Sequence, residues 1–152
     1  MCTFIRNHAV AAFFVLAYAF TWSWWIPMAV RGDIVQPGRF PTHFPGLLGP
    51  ALAALVVTAV SQGAPGIREL LARLGKWRIG GWLAFAVLSP IALWLLAALV
   101  LAMQGVSVPR LSAFGVFPGL PATTFVVVFL AAFLINGYGE ETGWRGFALP
   151  RL

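Results

Sequence analysis

Asn136-Gly-Tyr-Gly-Glu140-Glu141-Thr-Gly-Trp144-Arg145-Gly-Phe-Ala-Leu-Pro150-Arg-Leu152 sets two adjacent carboxylates and an arginine at the end of a strongly apolar run. The chain has four acidic residues in all, and two of them stand side by side here. Ionisable groups at membrane depth are costly to keep and face a bundle interior or a water-filled cavity, which marks this stretch as the candidate functional segment.

The surroundings of that stretch define the solvent. The chain is 61% hydrophobic and 9% charged over 152 residues, too few polar groups to cover a soluble domain of this length. The composition predicts an all-α fold, a polytopic transmembrane helix bundle of about four membrane helices plus a short amphipathic interfacial helix. It forms a single transmembrane domain over residues 1–152 with the lipid bilayer as its partner. Seven Trp and thirteen Phe suit aromatic anchors at the interfaces. A net charge of +6 does not point to nucleic acid, because the basic residues sit between apolar runs and form no basic groove. The single cysteine, Cys2, excludes an internal disulfide and a cysteine-based zinc cluster.

Four apolar runs emerge. The first, about Ala9 to Val30, is long enough to cross a bilayer core of about 30 Å. Ala17-Tyr-Ala19 resembles a signal-peptide cleavage site, but the run continues through Trp22, Trp24 and Trp25, too long for a signal sequence. Pro27 is expected to bend or end this helix near its outer end. The second run, about Phe44 to Val60, carries Gly46, Gly49, Ala51, Ala53 and Ala54, small residues that let helix backbones approach closely. The third, Trp82 to Met103, is the clearest span, with Pro90 a candidate kink. The fourth starts near Pro121 and runs through Phe125–Ile135 into the acidic stretch. Between the second and third runs, Ile67, Leu70, Leu71 and Leu74 repeat at helical spacing while Arg68, Arg73 and Lys76 fall elsewhere on the wheel, predicting an amphipathic helix on an anionic leaflet.

Basic residues give the topology. With the amino terminus cytoplasmic, the inner side holds Arg6, Arg68, Arg73, Lys76, Arg78, Arg145 and Arg151, and the outer side Arg31, Arg39 and Arg110. That asymmetry favours a multi-pass cell-membrane protein with its amino terminus inside.

If the fourth helix is a continuous α-helix from Pro121, Glu140 lies about 28 Å along it, near the cytoplasmic edge of the apolar core. Glu141 and Arg145 stand four residues apart with the acid first, the favourable order for an ion pair. Glu140 has no such mate; its stripe holds Asn136 and Trp144. The expected division of labour makes Glu141 and Arg145 a structural pair and Glu140 the working carboxylate, a general base for water. The same residues also fit a plain helix end in the headgroups, with Gly139, Gly143 and Gly146 a packing stripe, Trp144 an interfacial anchor and Asn136 an interhelical hydrogen-bonder. Spacing alone leaves catalysis and packing open. His8 and His43 lie outside the apolar cores and read as solvated loop histidines rather than metal ligands.

Glu140-Glu141-Thr-Gly-Trp144-Arg145-Gly-Phe-Ala-Leu-Pro-Arg-Leu152 resembles the first signature, EExxxR, of the CPBP family, the CAAX-protease and bacteriocin-processing intramembrane proteases, also called Abi proteins or type II CAAX endopeptidases. Gly49-Pro-Ala-Leu-Ala-Ala-Leu55, Gly66-Ile-Arg-Glu-Leu-Leu-Ala-Arg-Leu74 and Lys76-Trp-Arg78 are similar to family members at the same relative places, so the likeness covers nearly all of the chain. The resemblance implies a membrane endopeptidase acting on peptide or lipidated protein substrates. It implies three catalytic-site residues: Glu140 activates water, and Glu141 and Arg145 support the site. The family adds histidines from later FxxxH and histidine–asparagine motifs, and a divalent metal such as zinc would need those histidines. Neither motif occurs in residues 1–152. The resemblance therefore implies the amino-terminal part of a larger domain, lacking its carboxy-terminal helices and inactive alone. Two other readings stay open: a non-catalytic scaffold or bacteriocin-immunity protein of the same fold, and part of a transporter using Glu140 and Glu141 to relay protons. No internal duplication supports the last.

Overall fold

A run of 22 apolar residues that begins at Ala9 has the length to cross a bilayer, about 33 Å at 1.5 Å per residue. In the computed structural model of the chain it forms one helix, α2 (Ala9–Val30), preceded by a short α1 (Cys2–Asn7). The structure describes residues 2–75, 80–108, 116–121 and 125–152. Lys76, Arg78 and Arg110, used above for topology, lie outside them. Pro27 stays inside α2, which runs three residues past it and closes with the Arg31 N–H donating to the Pro27 carbonyl at 3.1 Å.

A single turn, α3 (Phe44–Leu47), leads into α4 (Gly49–Leu74). α4 bends where Gly63 adopts φ +65° and ψ −157° inside the helix, a backbone state that glycine enters without a Cβ penalty. This bend separates the apolar run from the amphipathic segment, as the composition predicts. After it, Leu70 turns into the core while Arg68 and Leu71 stay exposed. α5 (Gly81–Met103) belongs to a second compact unit, residues 76–114; none of its residues is buried. The first unit comprises residues 1–75 and 115–152. The fourth apolar run begins as α6 (Phe125–Ala132) and then winds as two π-helical segments, Phe133–Glu140 and Thr142–Ala148, before a 3₁₀ turn at Leu149–Arg151.

The fold is all-α, with no strand among the described residues. Three helical stretches, Ala9–Val30, Phe44–Leu74 and Gly81–Met103, are long and apolar enough to cross a membrane. The fourth run differs from the continuous α-helix expected of it. Its i→i+5 winding places more residues in each turn, so the chain advances less along its axis per residue.

The core of the first unit forms where α2, α4 and the π segments meet. Phe13, Val57 and Phe147 are fully buried there with Ala53 and Ala54, and the Phe13 and Phe147 rings stack at 5.0 Å. Small residues make the approach possible. A Cβ on Gly49 would overlap Thr21 and the Ala17 carbonyl of α2, and one on Gly143 would overlap Pro50 at the start of α4. Gly139 abuts Leu48 and Gly146 abuts Leu70 in the same way, so the glycine stripe is a packing surface. Gly143→Val is expected to lower stability by about 1–3 kcal/mol. Gly137 faces only the Phe133 ring at 3.8 Å, and Gly137→Ala is expected to be neutral or stabilising by up to about 1 kcal/mol. Thermal unfolding followed by circular dichroism in detergent checks both.

Candidate functional site

The glycine contacts decide where the acidic pair falls. With Gly139 against Leu48 and Gly143 against Pro50, Glu140 is carried to the junction of α2, α3 and α4. There it lines a cavity of about 190 Å³ together with Tyr18, Thr21, Trp22, Trp25 and Trp144. This position is level with the second half of α2 and the start of α4, the half of the unit next to the 31–43 loop. Expectation placed Glu140 near the opposite, cytoplasmic edge.

Glu140 is partly buried and makes no hydrogen bond or ion pair to another described residue. Glu141 points elsewhere: its Oε2 meets the Arg145 Nε at 2.9 Å, without the alignment of a hydrogen bond. The Glu141 side chain is 39% exposed and that of Arg145 76%, so the pair forms as the spacing predicts but lies at the surface of the protein. Thr142 donates its hydroxyl to the Tyr138 carbonyl, a bond within the winding that separates the two acids from the turn before.

Three side chains depart from their expected parts. Trp144, expected as an interfacial anchor, packs its ring edge-on against Phe13 at 5.4 Å and tilted against Phe14 at 5.9 Å. Asn136 is exposed and makes no hydrogen bond among the described residues. His43 is not a solvated loop residue. It is partly buried, its Nδ1 is shielded from solvent without a hydrogen-bond partner, and its ring lies 4.9 Å from that of Phe44.

The loop carrying His43 is held by tryptophans. Trp24 Nε1 donates to the Thr42 carbonyl at 3.0 Å and Trp25 Nε1 to the His43 carbonyl at 3.1 Å. Thr21 donates its hydroxyl to the Gly46 carbonyl at 2.8 Å. A Cβ on Gly46 would overlap the Trp25 indole, so glycine is required for that ring to reach its acceptor. Sequence reading missed His43 and the cavity tryptophans, since neither stands in a motif. Their only trace is the Trp-rich end of the first run facing a histidine across a loop.

A catalytic zinc needs three protein ligands. Among the described residues no group of three or more His, Cys, Asp and Glu side chains stands close enough to hold a metal. Glu140 and His43 supply two donors at most, so the described residues do not fit a zinc site by themselves.

No family model, curated protein or solved structure matches the chain.

The exposure of the Glu141–Arg145 pair limits what it contributes. Glu141→Gln and Arg145→Gln are each expected to change unfolding free energy by less than about 1 kcal/mol. The double variant is expected to lose little more than the larger single change. A double-mutant cycle by chemical denaturation in detergent measures this.

Proposed function

We propose that the chain belongs to a CPBP-type intramembrane endopeptidase in which Glu140 is the general base that activates water on a peptide bond of a membrane-associated or lipidated substrate. The observation that carries the reading is the different fate of the two adjacent acids. Glu141 is tied to Arg145, while Glu140 faces a cavity with no partner among the described residues. A carboxylate free of ion pairs and lodged in a largely apolar cavity is suited to take a proton from water. Glu141 and Arg145 then support the segment without touching the substrate. The resemblance of Glu140–Leu152 to the EExxxR signature supplies the reaction class, and the structure supplies the asymmetry.

Oxyanion stabilisation requires positioned donors. Thr21 and Trp25, which line the cavity, already donate to the carbonyls of Gly46 and His43. In this reading the donors come from further sequence of the same protein, carrying the FxxxH and histidine–asparagine motifs that residues 1–152 lack. The same commitment of donors favours a second reading, a membrane scaffold or immunity protein that keeps the fold without the chemistry. The two part on whether those histidines follow in the genomic sequence.

We infer a multi-pass arrangement with the amino terminus cytoplasmic. Its support is the clustering of basic residues at one end of the first unit. Arg73 donates to the Gly146 carbonyl at 3.1 Å and Arg151 to the Phe147 carbonyl at 2.9 Å, while Ile5 of α1 packs in the same cluster as Leu70 and Phe147. Cations at the carboxy-terminal end of a helical segment satisfy its last carbonyls and favour the inner leaflet.

In the complete protein reconstituted with a fluorogenic membrane peptide, Glu140→Gln is expected to reduce turnover by about 10³-fold or more, the scale set by losing a general base together with its water. Glu141→Gln is expected to retain measurable activity. Full turnover in Glu140→Gln would remove the proposal, and loss confined to Glu141→Gln would reverse the roles.

A further inference from the structure

The cavity beside Glu140 has walls that its suggested role as a water base does not explain. Tyr18, Trp22, Trp25 and Trp144 surround it. Trp22 and Trp25 meet edge to face, 6.0 Å apart with their planes at 75°. Trp25 is held in place by its bond to the His43 carbonyl, and Trp144 by Phe13 and Phe14. Aromatic faces carry the negative side of a quadrupole and attract cations, tryptophan most strongly. The carboxyl group of Glu140 stands at the same place, with no ion-pair partner among the described side chains.

We propose that this cavity binds an organic ammonium group, with the tryptophan and tyrosine faces around its alkyl surface and Glu140 as its counter-ion. Chemistry narrows the ligand. The cavity, about 190 Å³ and open on one side, admits a small organic group. Hard metal cations require six or more oxygen ligands, and the lining offers one carboxylate. An anion would face both the carboxylate and the ring faces. An alkylated ammonium, weakly hydrated and apolar on its outside, matches an apolar wall with one fixed charge. Two sources share that chemistry: a choline-type lipid headgroup, and the ammonium of a peptide's lysine or amino terminus. The inference does not rest on the hydrolytic reading. A bound ammonium neutralises Glu140 and excludes water from it, so in an active protease the ligand would compete with hydrolysis.

The test uses the full chain in phosphatidylglycerol nanodiscs, whose headgroups carry no ammonium, with indole ¹⁵N–¹H spectra of its seven tryptophans. Titration with tetramethylammonium chloride is expected to shift the Trp22, Trp25 and Trp144 signals saturably. Sodium chloride at equal ionic strength is expected to have no such effect. Glu140→Gln is expected to weaken binding by about tenfold. Should that variant fail to fold, Trp22→Leu is expected to weaken binding and Trp22→Tyr to preserve it. Equal shifts with sodium chloride, or undiminished binding in both Glu140→Gln and Trp22→Leu, would overturn the proposal. The source follows from two further arms. Competition by phosphatidylcholine in the nanodisc identifies a headgroup, and competition by a lysine-containing peptide, without an effect of phosphatidylcholine, identifies a peptide ammonium. Loss of cation binding leaves the protease assay free to succeed or fail independently.

Discussion

Backbone contact through glycine is the constraint on which the first unit depends. Gly139, Gly143 and Gly146 bring the fourth apolar run against Leu48, Pro50 and Leu70, and Gly49 brings α4 against Thr21 and Ala17 of α2. In lipid there is no hydrophobic gain from pressing one apolar helix on another, so close fit supplies the attraction. The stacked rings of Phe13 and Phe147 can meet only because those backbones are already close. The same contacts lift Glu140 to the junction of three elements and leave Glu141 facing outward to Arg145. The distinction between the two acids is therefore made by packing, not by any chemical difference between them.

Much of this was legible from composition and spacing. The lengths of the first and third runs define α2 and α5, because lipid demands about twenty apolar residues and few sequences supply them by accident. The amphipathic repeat after the second run is present, and the bend in α4 at Gly63 sets it off from that run. The four-residue spacing of Glu141 and Arg145 survives as an ion pair. The winding of the fourth run was not legible. An i→i+5 turn uses the same apolar residues as an α turn and leaves no compositional signature. His43 and the cavity tryptophans were hidden for another reason. Their association spans a loop closed by indole-to-carbonyl bonds from Trp24 and Trp25, and such bonds depend on tertiary placement that no local pattern records.

Tryptophans near the ends of membrane helices usually read as anchors at the headgroup level. Here they divide by geometry. Trp24 and Trp25 spend their N–H groups on the loop at Thr42 and His43, and Trp144 is drawn into an aromatic cluster with Phe13 and Phe14. Trp22, Trp25 and Trp144 instead line the cavity that also holds Glu140, a placement that the residue types alone do not specify.

The π-helical stretch has a mechanical consequence. A helix with five-residue hydrogen-bonded turns can shed a residue from one turn, and relax toward ordinary winding, while keeping its ladder of amide bonds nearly complete. Such a change rotates and advances everything beyond it like a screw thread changing pitch. In this chain the thread carries Glu140, so a small alteration in pitch would swing the carboxylate around the helix axis, between the cavity and the flank, with no loop to open and no hinge to break.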